Sequence, residues 1–175
     1  MPETERMVLR RPNWPDIDDV VALSADLEAA RQHGELEPLT PARVLAVEMP
    51  RLMADARRTD ELGSWIARDK ATGGFLGWFS LDPVDDPPRA ARLGYRLPRR
   101  AWGSGYETEG ALRLIEMARS AGLSTVVAAV GTDDTDAHSI FQAAGLRPAS
   151  GVSLAGAGLP DGPERMTYRL DLDGH

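Results

Sequence analysis

The chain predicts an α+β fold: a mixed, mostly antiparallel sheet of about six to seven strands flanked by four helices. Three observations lead there. Short alternating or β-branched apolar runs, bounded by glycine, proline and acidic residues, are interleaved with amphipathic runs along the whole chain. One stretch, Ala90 to Val130, reads as strand, helix and strand, a crossover unit that requires parallel pairing. The junction inside that unit carries two glycines one residue apart, Gly103 and Gly105.

In chain order, Arg6 to Arg10 predicts a first strand. Pro12-Asn13-Trp14-Pro15 ends it and starts a helix, with Asp16, Asp18 and Asp19 near the positive end of the helix dipole. Ile17, Val20, Val21 and Ser24 share a face, which carries this helix to about Ala30. Arg31 to Leu39 is polar without a period and predicts a loop. Thr40-Pro41 is a cap followed by a first-turn proline, and Pro50 kinks or splits the helix it opens, which runs to about Arg58.

Ser64 to Asp69 and Phe75 to Leu81 predict strands joined by the turn residues Lys70 to Gly74. Ala90 to Leu97 predicts the next strand, ended by Pro98. A helix with Ala111, Leu114, Ile115 and Ala118 at core spacing stops at Gly122. Ser124 to Val130 is apolar and β-branched, hence a buried central strand. A short helix, Ala137 to Ala144, follows and stops at Gly145. The tail predicts a strand near Leu146, a glycine-rich loop over 151–162, and a last strand from Arg165 to Leu170.

Composition narrows the function. With 175 residues, the expectation is a single domain over 1–175 with a real hydrophobic core. No run is long and apolar enough for a membrane span, and Met1 to Arg6 lacks the pattern of a secretion signal. Cysteine is absent, which removes disulfides, thiolate metal sites and cysteine nucleophiles, and fits a cytoplasmic protein. The net charge of −7 argues against nucleic acid as a partner. Within that acidic chain, five arginines and no acid fall between Arg89 and Trp102, beside the paired glycines. Such a patch suits an anionic ligand, although charged strand edges are also common.

Paired glycines between a strand and a helix let main-chain N–H groups converge on a ligand, and the helix start adds its own unpaired donors. The pattern makes an anion cradle, most naturally for phosphate. It is not a dinucleotide fingerprint, since the residue three beyond Gly105 is Thr108, and not a Walker loop, since Ala111-Leu112 stand where Lys and Ser or Thr belong.

What remains, Arg100-x-x-Gly103-x-Gly105, resembles the pyrophosphate-binding motif of the GNAT superfamily of acetyl-CoA-dependent N-acetyltransferases. The wider run, Gly94-Tyr95-Arg96-Leu97 followed by Trp102-Gly103-Ser104-Gly105-Tyr106-x-Thr108-Glu109, is similar to the branch that includes the RimJ and RimL ribosomal-protein acetyltransferases. The predicted order of elements matches the GNAT fold across nearly the whole chain.

The resemblance implies acetyl-CoA as cosubstrate, no metal, and direct attack by an amine without an acyl-enzyme. It implies cofactor contacts from Tyr95, Arg96 and Leu97 on the strand, from Arg100, Trp102, Gly103, Ser104, Gly105, Tyr106 and Thr108 at the cradle, and from Asp134. The branch carries Asn-x-x-Ser at its last helix, and those positions here are Asp134 and Ala137; the tyrosine that serves other branches as general acid aligns with Phe141.

An amine acceptor must lose a proton, since an alkyl ammonium has a pKa of about 10 and an α-ammonium about 8. The base is unassigned; the candidates are Asp133 and Asp134 at the end of the central strand, with Ser139 or Tyr168 as substitutes for the missing proton donor. His33 and His138 are bases by type on a loop and a helix, where surface histidines are common. Glu109, in the first turn of its helix, reads as a structural cap. Three functions stay open: an N-acetyltransferase for a protein N-terminus or small amine, a catalytically weak or inactive acyl-CoA-binding module, and an enzyme for longer acyl donors. The acceptor is not named by any residue pattern, and a monomer and a homodimer are equally compatible.

Overall fold

The computed structural model describes residues 1–32, 37–54, 60–131, 134–150 and 165–174, apart from the side chains of residues 29, 31 and 32. Strand β1 (Met7–Arg10) leads through a 3-10 turn into α1 (Ile17–Ser24) and α2 (Leu27–Gln32). Two short helical segments, α3 (Pro41–Arg43) and α4 (Met49–Ala54), flank a π-helical turn over Val44–Glu48. Strands β2 (Gly63–Asp69), β3 (Phe75–Val84) and β4 (Ala90–Arg96) follow, then α5 (Tyr106–Ser120), β5 (Thr125–Gly131), α6 (Thr135–Ala143), β6 (Arg147–Ala149) and β7 (Arg165–Asp171).

The strands form one seven-stranded sheet in the order β1-β2-β3-β4-β5-β7-β6. Among the described residues only β4 and β5 pair in parallel, as the crossover through α5 requires. The predicted element order, the mixed sheet and the four helical stretches are therefore present. The first helix is shorter than its hydrophobic period suggests, because the chain breaks after Ser24 and restarts at Leu27.

At Pro50 the sequence implied a kink or split, and the chain instead widens one turn. Pro50 has no N–H to give, and the register shifts so that Met49 N donates to Val44 O. The predicted end of that helix near Arg58, His33 and the 151–162 loop lie outside the described residues.

Strand alternation sorts the core onto two faces. Phe79, Leu81, Leu93, Val126 and Ala128 pack with Ala111, Leu114 and Ala118 of α5 and with Phe141 of α6. Ile66 and Trp78, one position out of phase with Trp65 and Phe79, pack with Val20 and Leu23 of α1, Val44, and Met49 and Leu52 of α4. At Gly110 the α5 backbone lies against β3 so closely that a Cβ would stand 2.2 Å from the Phe79 ring.

Strands β4 and β5 pair only over Ala90–Arg92 and Thr125–Val127. Beyond that point β4 runs on to Arg96 beside β3, and β5 runs on to Gly131 beside β7. The sheet is parted there. Because the two strands are parallel, both end at this parting, and each is followed by a helix whose N-terminus returns to it. Two helix starts and an unpaired strand edge are thus delivered to one place.

Candidate active site

Gly103 (φ 73°) and Gly105 (φ 84°) both adopt the left-handed backbone, and Gly105 is the N-cap of α5. A Cβ at Gly103 would meet no atom within 4 Å, and one at Gly105 would meet only Arg6 Nη2 at 3.4 Å. Positive φ, rather than crowding, is what requires glycine at both positions. Among the described residues the main-chain N–H groups of Gly103, Ser104 and Gly105 have no acceptor. Those of Tyr106 and Thr108 are first-turn donors without an intrahelical partner.

The cradle is braced from behind. Glu109 accepts from the hydroxyl of Thr4, from Arg6 N at 2.9 Å and from Arg6 Nε at 2.7 Å. Burial works to raise the Glu109 carboxyl, but these hydrogen bonds outweigh it and hold the group below its ordinary range. Arg6 also donates to Ser104 O at 2.9 Å and lies 4.2 Å over the Tyr106 ring, whose hydroxyl donates to Asp69 at 2.9 Å. Glu109 is therefore the structural anchor its helix position suggested. Arg6, about a hundred residues away in sequence, carried no signal of this role.

Tyr95, Trp102, Gly103, Gly105, Thr108 and Asp134 line one cleft between the starts of α5 and α6, together with Glu107, Asp136 and Ala137. The remaining expected contacts differ in kind. Arg96 and Leu97 are buried, and Leu97 O accepts from Trp102 Nε1 at 2.8 Å. The Arg100 guanidinium donates to Phe75 O at 2.5 Å and faces a separate hollow beside Asp19 and Asp26. Ser104 and Tyr106 turn their carbonyl and ring to Arg6. At Arg100 and Tyr106 the side chain is engaged elsewhere, which leaves main-chain groups for any ligand in the cradle.

Nor do the five arginines form one patch. Arg89 binds Gly122 O, Arg92 binds Asp82, and Arg99 binds Asp26 and Glu28. The described lining of the cleft holds three acids, Glu107, Asp134 and Asp136, and no basic side chain. The groups there that favour an anion are main-chain amides and helix dipoles.

Of the catalytic candidates, Asp133 lies outside the described residues. Ser139 sits at the rim of the cleft with its hydroxyl donating to Thr135 O at 3.1 Å. Tyr168 is 1% exposed beneath α6, where its hydroxyl lies 2.7 Å from His138 Nδ1, and it lines neither this cleft nor the next. Asp134 is in place. Its Oδ1 accepts from Ala137 N at 3.1 Å, so the Asp-x-x-Ala spacing is an N-cap of α6, while Oδ2 makes no hydrogen bond among the described residues.

A second cleft is lined by Trp78, Ser80, Arg92, Gly94 and Arg165, together with Phe141. Tyr95, Asp134 and Ala137 belong to both clefts, which therefore meet at the parting of β4 and β5. Burial pushes the Asp134 carboxyl up, against the pull of the Ala137 N–H, and nearby Asp136 adds to the rise. Burial likewise raises Glu107, and it raises the Tyr95 phenol far above its ordinary range, with Asp134 and Glu107 adding to that effect. Tyr95 is thus held neutral, as a donor that does not ionise.

The family model for the acetyltransferase (GNAT) domain matches this chain over residues 6–147, the stretch that contains the amide cradle and the two parallel strands. The chain belongs to the GNAT acetyltransferase family. It is 30% identical over 103 residues to the FsC-acetyl coenzyme A-N(2)-transacetylase of Aspergillus fumigatus, a match that covers 54% of this chain and 43% of that protein. The chain thus spans less than half the length of this curated relative. Among solved structures, the GNAT acetyltransferase fold here superposes on an acetyltransferase from Agrobacterium tumefaciens with a TM-score of 0.78 at 20% identity, covering 96% of this chain and 92% of that one. Spermidine N-acetyltransferase from Vibrio cholerae, solved with CoA and spermine, gives 0.72 at 13% identity, with 95% of each chain covered. These likenesses are of fold.

Proposed function

We propose that this chain is an acetyl-CoA-dependent N-acetyltransferase that moves the acetyl group to a primary amine by direct attack in a ternary complex. The observation that carries this reading is the adjacency of the two clefts, which share Tyr95, Asp134 and Ala137 in their walls, with the amide cradle in the lining of one of them. Gly103 to Thr108 would hold the pyrophosphate by main-chain N–H groups, and no atom stands within 4 Å of where a Cβ would sit at Gly103. Acetyl-CoA supplies an acetyl thioester. The exposed edge of β4 beyond Arg92 would pair with the pantetheine amides as an added strand does. The run from Trp102 to Glu109 supports placement in the RimJ/RimL-like branch.

Asp134 is the base of this reading. It stands at the meeting of the clefts, its raised pKa brings it nearer to the range where it can accept a proton, and Oδ2 is open to do so. Tyr95 would donate a hydrogen bond to the departing sulfur without giving up its proton. Its pKa lies far above that of a thiol, about 8.5, so full transfer would run uphill. A thiolate leaves without an acid, which makes Ala137 and Phe141 compatible with turnover.

The test is a thermal shift with CoA and acetyl-CoA, followed by thiol release with an amine panel. At about 100 times Kd, CoA should stabilise the protein by ~2.7 kcal/mol. Gly105→Val should abolish the shift, because valine does not tolerate the left-handed backbone at the N-cap. A protein whose Tm ignores millimolar CoA would overturn the assignment. CoA binding without thiol release on any amine would favour an acyl-CoA-binding module instead.

A further inference from the structure

The second cleft is lined by groups of opposite charge. Asp134 stands where the clefts meet, and Arg92 stands on β4 three residues before Tyr95, about 10 Å along the strand. The Arg92 side chain is only 14% exposed, and among the described residues its one ion pair is a single 3.2 Å approach of Nη2 to Asp82 Oδ2. Its Nε is shut away from solvent with no acceptor among those residues.

A buried guanidinium normally satisfies its planar fork with a bidentate carboxylate. Asp82 does not do this: only its Oδ2 takes a bond from Arg92, and the same oxygen accepts from the Ser80 hydroxyl at 3.0 Å. Arg51 and Arg165 add positive field around Arg92, while Glu48 pairs with Arg51 at 2.9 Å. Burial, with Arg51 and Arg165, depresses the Arg92 pKa against the pull of Asp82, as expected of a cation short of anionic partners.

We propose that the acceptor is a small amine that also bears a carboxylate, and that Arg92 grips this carboxylate while the amine faces Asp134. The inference rests on the acetyltransferase reading and adds the acceptor class to it. A zwitterion of this kind complements both charges in the cleft at once. A diamine would leave Arg92 unanswered and place a second cation in the cleft that Arg92 lines.

The experiment measures acetylation and Tm shift, in saturating CoA or acetyl-CoA, for glycine, alanine, β-alanine, 4-aminobutyrate and 6-aminohexanoate, each against its carboxamide, with putrescine as the cationic comparator. The expected result is that at least one carboxylate exceeds its carboxamide in kcat/KM by about tenfold or more, mainly through KM. Arg92→Gln should remove that preference, and Arg92→Lys should retain part of it. The rise in Tm with CoA alone reports whether each variant is folded. Asp82→Asn, which frees the fork from its competitor, should strengthen binding of the carboxylate.

Equal rates for acids and amides, a preference for putrescine, or no response to any acid from a protein that binds CoA would each overturn the proposal and leave the acetyltransferase reading standing. Loss of CoA binding in the unmodified protein would overturn both.

Discussion

Asp134 caps the first turn of α6 with one oxygen and lines both clefts. Asparagine caps a helix about as well as aspartate, so Asp134→Asn separates the two roles. Because folding raises the Asp134 pKa, its contribution to stability is full below the unfolded value and is lost as pH rises through the folded one. The Asp134→Asn variant therefore should match or exceed the parent Tm at pH 7 while kcat falls about 10²- to 10⁴-fold. Calorimetry and thiol release decide it; unchanged turnover would remove Asp134 from the mechanism. Glu109 has the opposite sign. Its pKa is lowered on folding, so its stabilisation is present above the unfolded value and disappears as pH falls through the folded one. Glu109→Gln should cost ~1–3 kcal/mol at pH 7, and the difference from the parent should close in acid. A pH-independent difference in denaturation midpoint would show that packing, not charge, sets the effect.

At the scale of elements, α5 is fixed to β3 through Gly110, where any side chain enters the Phe79 ring. Gly110→Ala gains helix propensity but overpacks this contact, and the expected net loss is about 1–3 kcal/mol, measured by urea denaturation. A gain in stability would mean that Phe79 moves aside without cost. The strands, the crossover and the paired glycines were legible because each depends on local period and turn chemistry. The π turn before Pro50 was legible only as trouble, since a missing N–H announces a defect and not the register that repairs it. Arg6 bracing Ser104 and Arg100 reaching Phe75 O were not legible at all. Which face an arginine serves depends on strand pairings that no window of sequence contains. Asp134 was visible by position, whereas its cap and its place between two clefts required α6 to be set against β5.

Across the whole molecule, the sheet consists of β1 to β4 and of β5, β7 and β6, joined by one short parallel seam. The amide cradle follows β4 of the first part and Asp134 follows β5 of the second. A ligand that contacts both should slow hydrogen exchange at amides of 90–96 and 125–131 more than in β2, and mass spectrometry with and without CoA checks this. Uniform protection, or none at the seam, would argue that the parts do not respond to the ligand jointly. The same seam has a mechanical consequence. Pulled apart along this line, the protein yields few backbone bonds before the two slabs separate, so an occupant lying across it works as a rivet, and rupture force becomes a gauge of occupancy.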